Sequence, residues 1–460
     1  MAWYWHQDRR RCAGDAHRKR GSERRPGQDC HRGGSPGGFG VTQSGEKFDL
    51  CIVGGGLVGA SLAIAVGDTG KRVAVVEAHA QGAPGQPSFD DRATALSNGS
   101  RRVFEALGVW PRLAAHATPI QTIHVSDKGH FGISRIDARE EGVPALGFMV
   151  RNRHIGAALM ARLAELPAIT MFAPATAGEI EFGDSTVSLS VLQDGAGESG
   201  ARIRARLLVA ADGARSSVRS QLNIESESFD YRQIAVIANI ATERDLDGVA
   251  YERFTESGPL AVLPMTDEDA PGAGGRATIV WSLDSKSAEQ VLALDDDGFL
   301  AGLQEQFGFR LGHILKAGRR VSYPLALVRS DEQVRARLVV IGNAAHSLHP
   351  VAGQGFNLSL RDVAALAETI EDATEAGEDF GSLDVLNRYA DWRERDQRDV
   401  IRFSDGLIRV FGSRNPLTRT GRNLGLVALE LLPGAKRLVA RQTMGVAGRL
   451  PKLARGLSLT

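Results

Sequence analysis

The stretch Phe48–Gly59, FDLCIVGGGLVG, decides how this chain folds. Leu50, Cys51, Ile52 and Val53 form an unbroken apolar run with a β-branched pair, the pattern of a strand buried on both faces. Gly54, Gly56 and Gly59 follow in the spacing G-x-G-x-x-G. The first glycine allows a tight turn, the second lets a pyrophosphate approach the backbone, and the third lets the next helix pack close to the strand. Leu62, Ala63, Ala65 and Val66 continue as a helix of small apolar residues. A second strand, Arg72–Glu77, ends in an acid 23 residues after Gly54, where a ribose-binding carboxylate is expected. Strand, glycine turn, helix and terminal acid together predict a dinucleotide held at a helix N-terminus.

Outward from this unit, the composition is that of an ordinary globular protein: 460 residues, 43% hydrophobic and 24% charged, with room for two domains. No apolar run is long enough for a membrane-spanning helix. The three cysteines, Cys12, Cys30 and Cys51, form no spaced framework, which points to a reducing, cytoplasmic setting. The formal net charge of zero conceals an uneven distribution. Residues 1–32 hold nine basic and four acidic residues, and residues 406–460 hold ten basic and one acidic, so the body between them is acidic. Basic ends on an acidic body suit surface contacts and exclude nucleic-acid binding by the core. Residues 1–45 lack apolar periodicity and read as a leader outside the fold, either a basic targeting arm or a translated upstream segment.

Two further motifs follow along the chain. Leu207–Arg219 runs an apolar strand into Asp212-Gly213, with Ser216 placed to cap the next helix. Arg337–Asn357 runs a strand into Gly342-Asn343-Ala-Ala-His346, then a loop with His349, Pro350, Gly353 and Gly355, and a helix that begins near Asn357. Free N–H groups at such a helix start can hold a ring carbonyl or an anion. Ile234–Ile240, Ala250–Phe254, Leu260–Met265 and Ala277–Leu283 read as strands of a separate, largely antiparallel sheet. Arg92 either meets a phosphate or ribose or pairs with Asp90 or Asp91. Leu424–Leu432, followed by Lys436, Arg437 and Arg441, reads as core packing with a basic face or as a membrane-surface contact. His346 and His349 have no carboxylate or cysteine to complete a ligand set, so no metal site is predicted.

The three motifs in this order resemble the group A flavoprotein aromatic hydroxylases. Phe229–Asn239, Glu252–Met265, Tyr323–Leu327 and His349–Leu358 add resemblance to the ring hydroxylases of bacterial ubiquinone biosynthesis, of the 2-polyprenyl-6-methoxyphenol hydroxylase type. The resemblance spans residue 47 to the C-terminus. It implies an α/β fold: a glutathione-reductase-type Rossmann FAD domain with an inserted, largely antiparallel β-sheet substrate domain and a C-terminal helical region. The FAD domain is expected over 46–119, 141–228 and 323–405, the substrate domain over 120–140 and 229–322, and the helical region over 406–460.

The resemblance also implies chemistry: FAD as cofactor, NAD(P)H and O2 as co-substrates, oxygen activation as a flavin C4a-hydroperoxide, and a prenylated phenol as substrate. Gly54, Gly56, Gly59 and Glu77 would hold the ADP part of FAD, with Arg92 on the adenosine side. Asp212 and Gly213 would contact FAD. Asn343, Pro350, Gly353, Gly355 and Asn357 would lie against the flavin ring. The wider family has Asp where this chain has Asn343, an uncharged amide, and the ubiquinone branch shares that change. His346 and His349 are the candidates for proton work, by their place in the motif. A peripheral position on the inner face of the cell membrane, and contact with other quinone-biosynthesis enzymes, would bring the enzyme to its substrate.

Overall fold

The computed structural model describes residues 46–80, 92–193, 201–266, 274–348, 353–412 and 416–460. Strand Glu46–Val53 sits inside a parallel sheet, between Ala201–Ala210 on one side and Val73–Val76 on the other. Leu338–Val340 extends the sheet beyond Ala201–Ala210, and Ile169–Phe172 extends it beyond Val73–Val76. Alternating side chains explain why this sheet needs cover on both faces. Leu50 and Ile52 enter one core with Leu62, Phe104 and Leu366, whereas Cys51 and Val53 enter another with Phe172, Leu208 and Val218. Helix Leu57–Gly67 is buried from Gly59 onward, because its small apolar residues pack between the sheet and the helix Gln354–Glu375.

The second sheet has nine strands and is mostly antiparallel. Ser226–Thr242 pairs with Gly275–Asp284, which pairs with Gly258–Met265, which pairs with Val249–Thr255. The hairpin Thr122–Asp127/Ile133–Asp137 joins this sheet through a parallel pairing of Thr122–Asp127 with Val249–Thr255. Two helices, Ser285–Ala293 and Asp296–Phe307, cover its outer face through Ala288, Phe299, Leu303 and Phe307. A third, three-stranded sheet brings Ala93–Ser97 and Thr118–Ile120 onto Gly147–Arg151.

Three of the expected domain limits fall inside elements of structure. Residue 229 falls inside strand Ser226–Thr242, residue 323 inside Val321–Ser330, and residue 406 inside helix Leu383–Gly412. Thr42–Thr460 forms one unit, so the two large sheets are lobes joined by continuous elements. The leader 1–45 lies outside the described residues.

Candidate active site

Parallel pairing brings the three motifs together. Val53, Ala210 and Val340 are aligned in adjacent strands, so the residues after each emerge side by side at the carboxyl edge of the sheet. That edge is where open α/β sheets bind ligands. The glycine turn is built to be tight. Gly54 has φ +102°, and a Cβ there would meet the Ala211 carbonyl oxygen at 2.4 Å. A Cβ on Gly59 would meet the Gly54 carbonyl oxygen at 1.9 Å. Helix Leu57–Gly67 starts with no side-chain cap and no acid in its first turn, so its N–H groups remain for a ligand anion. Glu77 accepts a hydrogen bond from the Gly55 N–H at 2.7 Å and another from the His79 N–H at 3.0 Å, which holds the acid against the turn.

Asp212 and Gly213 lie beside this turn, since the Asp212 nitrogen would be 2.8 Å from a Cβ on Gly54. One Asp212 oxygen caps the helix Ser217–Gln221 by accepting from the Ser217 and Val218 N–H groups at 2.7 and 3.1 Å. Its other oxygen is buried with no hydrogen-bond partner among the described residues, which suits a ligand hydroxyl. Uncapped helix, close glycine approach and orphaned carboxylate oxygen all fit a dinucleotide carrying a pyrophosphate and ribose hydroxyls.

A cavity of about 530 Å³ adjoins this edge. Asn343, Gly353, Gly355 and Asn357 border it on the side of the parallel sheet, and Ile237, Leu263 and Val280 border it on the large sheet. Phe411, Leu426 and Val439 close it from the C-terminal helices. Gly353 takes the left-handed conformation, φ +61°, at the start of helix Gln354–Glu375, which also lacks a side-chain cap. Among the described lining residues only Arg92 and Glu252 carry charge.

Several expected site residues have other work. The Asn357 amide is fully engaged: its oxygen accepts from the Ser97 N–H and the Ser100 hydroxyl, and its nitrogen donates to the Ala95 and Gly353 carbonyls. It shapes the cavity edge instead of offering a free amide to a flavin. Arg92 lies over the Tyr323 ring, 4.9 Å from its centroid, and borders the cavity. The contact links it to strand Val321–Ser330 of the large sheet. His346 is 1% exposed and does not border the cavity. Its Nε2 is 2.6 Å from Asp362, whose other oxygen accepts from Arg393 at 2.6 Å and Gln397 at 3.1 Å. The expected proton-transfer role for His346 gives way to a structural one, because the ring is sealed among helix residues that the sequence motif does not contain. His349 and Pro350 lie outside the described residues.

Glu252 is the residue that motif reading passed over. It stands in strand Val249–Thr255 between Val125 and Ala261, its partners in register on the two neighbouring strands. All three border the cavity. Protein surrounds the side chain while the cavity leaves it open space. Burial without a counter-charge pushes its carboxyl up to about 7. The available signal in the sequence is an acid that alternation puts on one strand face with Ala250 and Phe254.

A family model described as an FAD binding domain matches residues 47–404. The chain belongs to the FAD binding domain family. It is 36% identical over 428 residues to the ubiquinone hydroxylase UbiL of Rhodospirillum rubrum, covering 91% of this chain and 95% of that one. It is 32% identical over 408 residues to the 3-demethoxyubiquinol 3-hydroxylase of Escherichia coli, covering 87% and 99%. Among solved structures, p-nitrophenol 4-monooxygenase PnpA from Pseudomonas putida shares the fold, with a TM-score of 0.71 at 20% identity over 88% of this chain and 99% of that one. This member of the family is therefore an FAD-dependent monooxygenase, with the NAD(P)H co-substrate typical of such enzymes.

Proposed function

We propose that this monooxygenase hydroxylates the phenol ring of a polyprenylated ubiquinone precursor, 2-polyprenyl-6-methoxyphenol, with NAD(P)H and O2. The observation that carries the reading is the cavity itself: it starts at the motif edge of the parallel sheet and ends among apolar side chains of the large sheet and C-terminal helices. A ring can lie between the motif edge and the large sheet, and a prenyl chain can run on among the C-terminal helices. The 3-demethoxyubiquinol 3-hydroxylase relative favours a second reading, attack at another position of the same ring.

In either reading bound FAD would pass electrons from NAD(P)H to O2 and so activate it. The Gly54–Gly59 turn and the following helix hold its pyrophosphate, with Glu77 on the ribose side and Asp212 and Gly213 nearby. Asn343, Gly353 and Gly355 face the ring. The apolar walls exclude water, which protects a reactive oxygen species from decay before it meets the phenol. Tracing labelled dioxygen into the phenol ring tests the activity.

The C-terminal helices support a peripheral position on the inner, cytoplasmic face of the cell membrane. Helix Pro416–Leu431 turns Leu426 and Leu429 to the cavity and leaves Leu424 and Leu431 exposed. Leu432 and Leu438 add to the exposed apolar surface, flanked by exposed Arg437 and Arg441. Among the described residues no helix is long and apolar enough to cross a membrane. Each basic residue near an anionic surface contributes about 1 kcal/mol, screened beyond roughly 8–10 Å at physiological salt. Binding to anionic liposomes should therefore fall with salt without vanishing, and reversing Arg437 and Arg441 to Glu should weaken it with FAD retained. Lys436 is left unchanged because it is buried and paired with Glu140 at 2.9 Å. Indifference to anionic liposomes at low salt would leave the helices as a docking surface for partner enzymes.

A further inference from the structure

Glu252 is the only acid among the described residues that border the cavity. Among the described residues its surroundings supply no partner. Val125 and Ala261 flank it in register, and Phe254, two residues along the same strand face, stacks on Phe411 with ring centroids 3.5 Å apart. The nearby cations are on the other face of the sheet. Arg253 alternates away from Glu252, and together with Arg135 and Arg310 it acts on His124, whose ring nitrogen is 2.9 Å from Arg310. The remaining charged group at the cavity, Arg92, stacks on Tyr323. An acid without a protein partner in an apolar enclosure is costly unless a ligand uses it.

We propose that Glu252 is the base for the substrate's phenol. Its carboxylate accepts a hydrogen bond from the ring hydroxyl and takes that proton as the ring is attacked. The O–H bond of the phenol breaks, its electron pair stays on the ring oxygen, and the proton moves to a Glu252 oxygen. The added electron density makes the ring the better nucleophile toward the electrophilic oxygen. When the hydroxylated ring regains aromaticity the carboxyl returns the proton. Glu252 thus drops out of the balance, which remains phenol, O2, NAD(P)H and one proton giving dihydroxybenzene, NAD(P)+ and water. This assignment rests on the proposed phenol substrate, and burial that keeps the carboxyl near neutrality supports it.

The test uses the FAD-loaded protein without reductant, so that binding is read apart from turnover. The probes are 2-prenyl-6-methoxyphenol with a single prenyl unit and its methyl ether, which has no hydroxyl to donate. Wild type should bind the phenol roughly tenfold tighter at about pH 8.5 than at about pH 5.5, since a charged acceptor makes the stronger hydrogen bond. The ether should show no such gain. Glu252→Gln, close in shape, should keep FAD and lose the pH dependence, and Glu252→Asp should restore it. Phenol affinity that is flat with pH in wild type, or a dependence that survives in Glu252→Gln, overturns the assignment. Hydroxylation of the phenol alongside a flat binding profile removes Glu252 from the mechanism and leaves the function in place. A titrating binding profile without any hydroxylation overturns the function instead.

Discussion

Gly59→Ala should leave a protein that no longer retains FAD. A Cβ at this position would sit 1.9 Å from the Gly54 carbonyl oxygen and 3.2 Å from Ile52 Cγ2. The first of these atoms is backbone, and it belongs to a residue already at φ +102° with the Ala211 carbonyl behind it. The turn cannot yield on that side, so the helix must lift from the strand. Lifting it displaces the N–H groups that face the pyrophosphate. A clash of this kind costs about 3 kcal/mol, which corresponds to roughly a hundredfold in affinity if it falls wholly on the bound state. The measurement is the FAD-to-protein ratio after gel filtration, followed by titration with free FAD. Gly406→Ala serves as the control. Its Cβ would meet nothing within 4 Å, and alanine is the better helix former by about 1 kcal/mol, so flavin content should be unchanged.

Asp362→Asn should destabilise the whole fold. Asp362 is fully buried and binds His346 with one oxygen and Arg393 with the other. Arg393 is itself 1% exposed and reaches Asp396 at 2.6 Å, which also pairs with Arg361 at 2.9 Å. The cluster ties the Gly342–His346 turn to the helices Gln354–Glu375 and Leu383–Gly412. Burial alone would raise the Asp362 carboxyl, but Arg393 and His346 outweigh it and hold the group well below the usual carboxylate range. A depressed acid stabilises the folded state fully above its unfolded value of about 4, and that contribution disappears as pH falls through the folded value, in strong acid. The amide removes the negative charge and leaves Arg393 buried beside a neutral group. Breaking a buried pair in this way costs about 3–5 kcal/mol. Denaturant unfolding at neutral pH should show a lower midpoint with an unchanged slope. A midpoint within error of wild type would mean that Asp396 alone suffices for Arg393.

What the sequence revealed follows from how far apart the interacting residues lie. Leu50–Val53 and Gly54–Gly59 are a local unit, so periodicity and spacing exposed them. The meeting of Gly54, Asp212 and Asn343 was legible because each follows an apolar strand, and parallel strands align their carboxyl ends. Pairings across long separations left no local trace. Asp362 and Arg393 occupy two helices and carry no motif, so His346 looked free to move protons. Lys436 looked available to lipid, although Glu140 from the hairpin region claims it. The four partners of the Asn357 amide are spread across a remote strand and helix as well as the adjoining loop. Glu252 lies in a stretch that carries the family resemblance, but its solitude shows only in the cavity, among apolar walls.

The most direct measurement is single-turnover incubation of the FAD-loaded protein with NAD(P)H, 18O2 and a prenylated 6-methoxyphenol, followed by mass spectrometry of the ring. A hydroxylase will add one oxygen atom to the ring and that atom will be 18O, with NAD(P)H oxidised in equal amount. A yellow protein that returns the phenol unchanged, or adds oxygen drawn from water, would contradict the assignment.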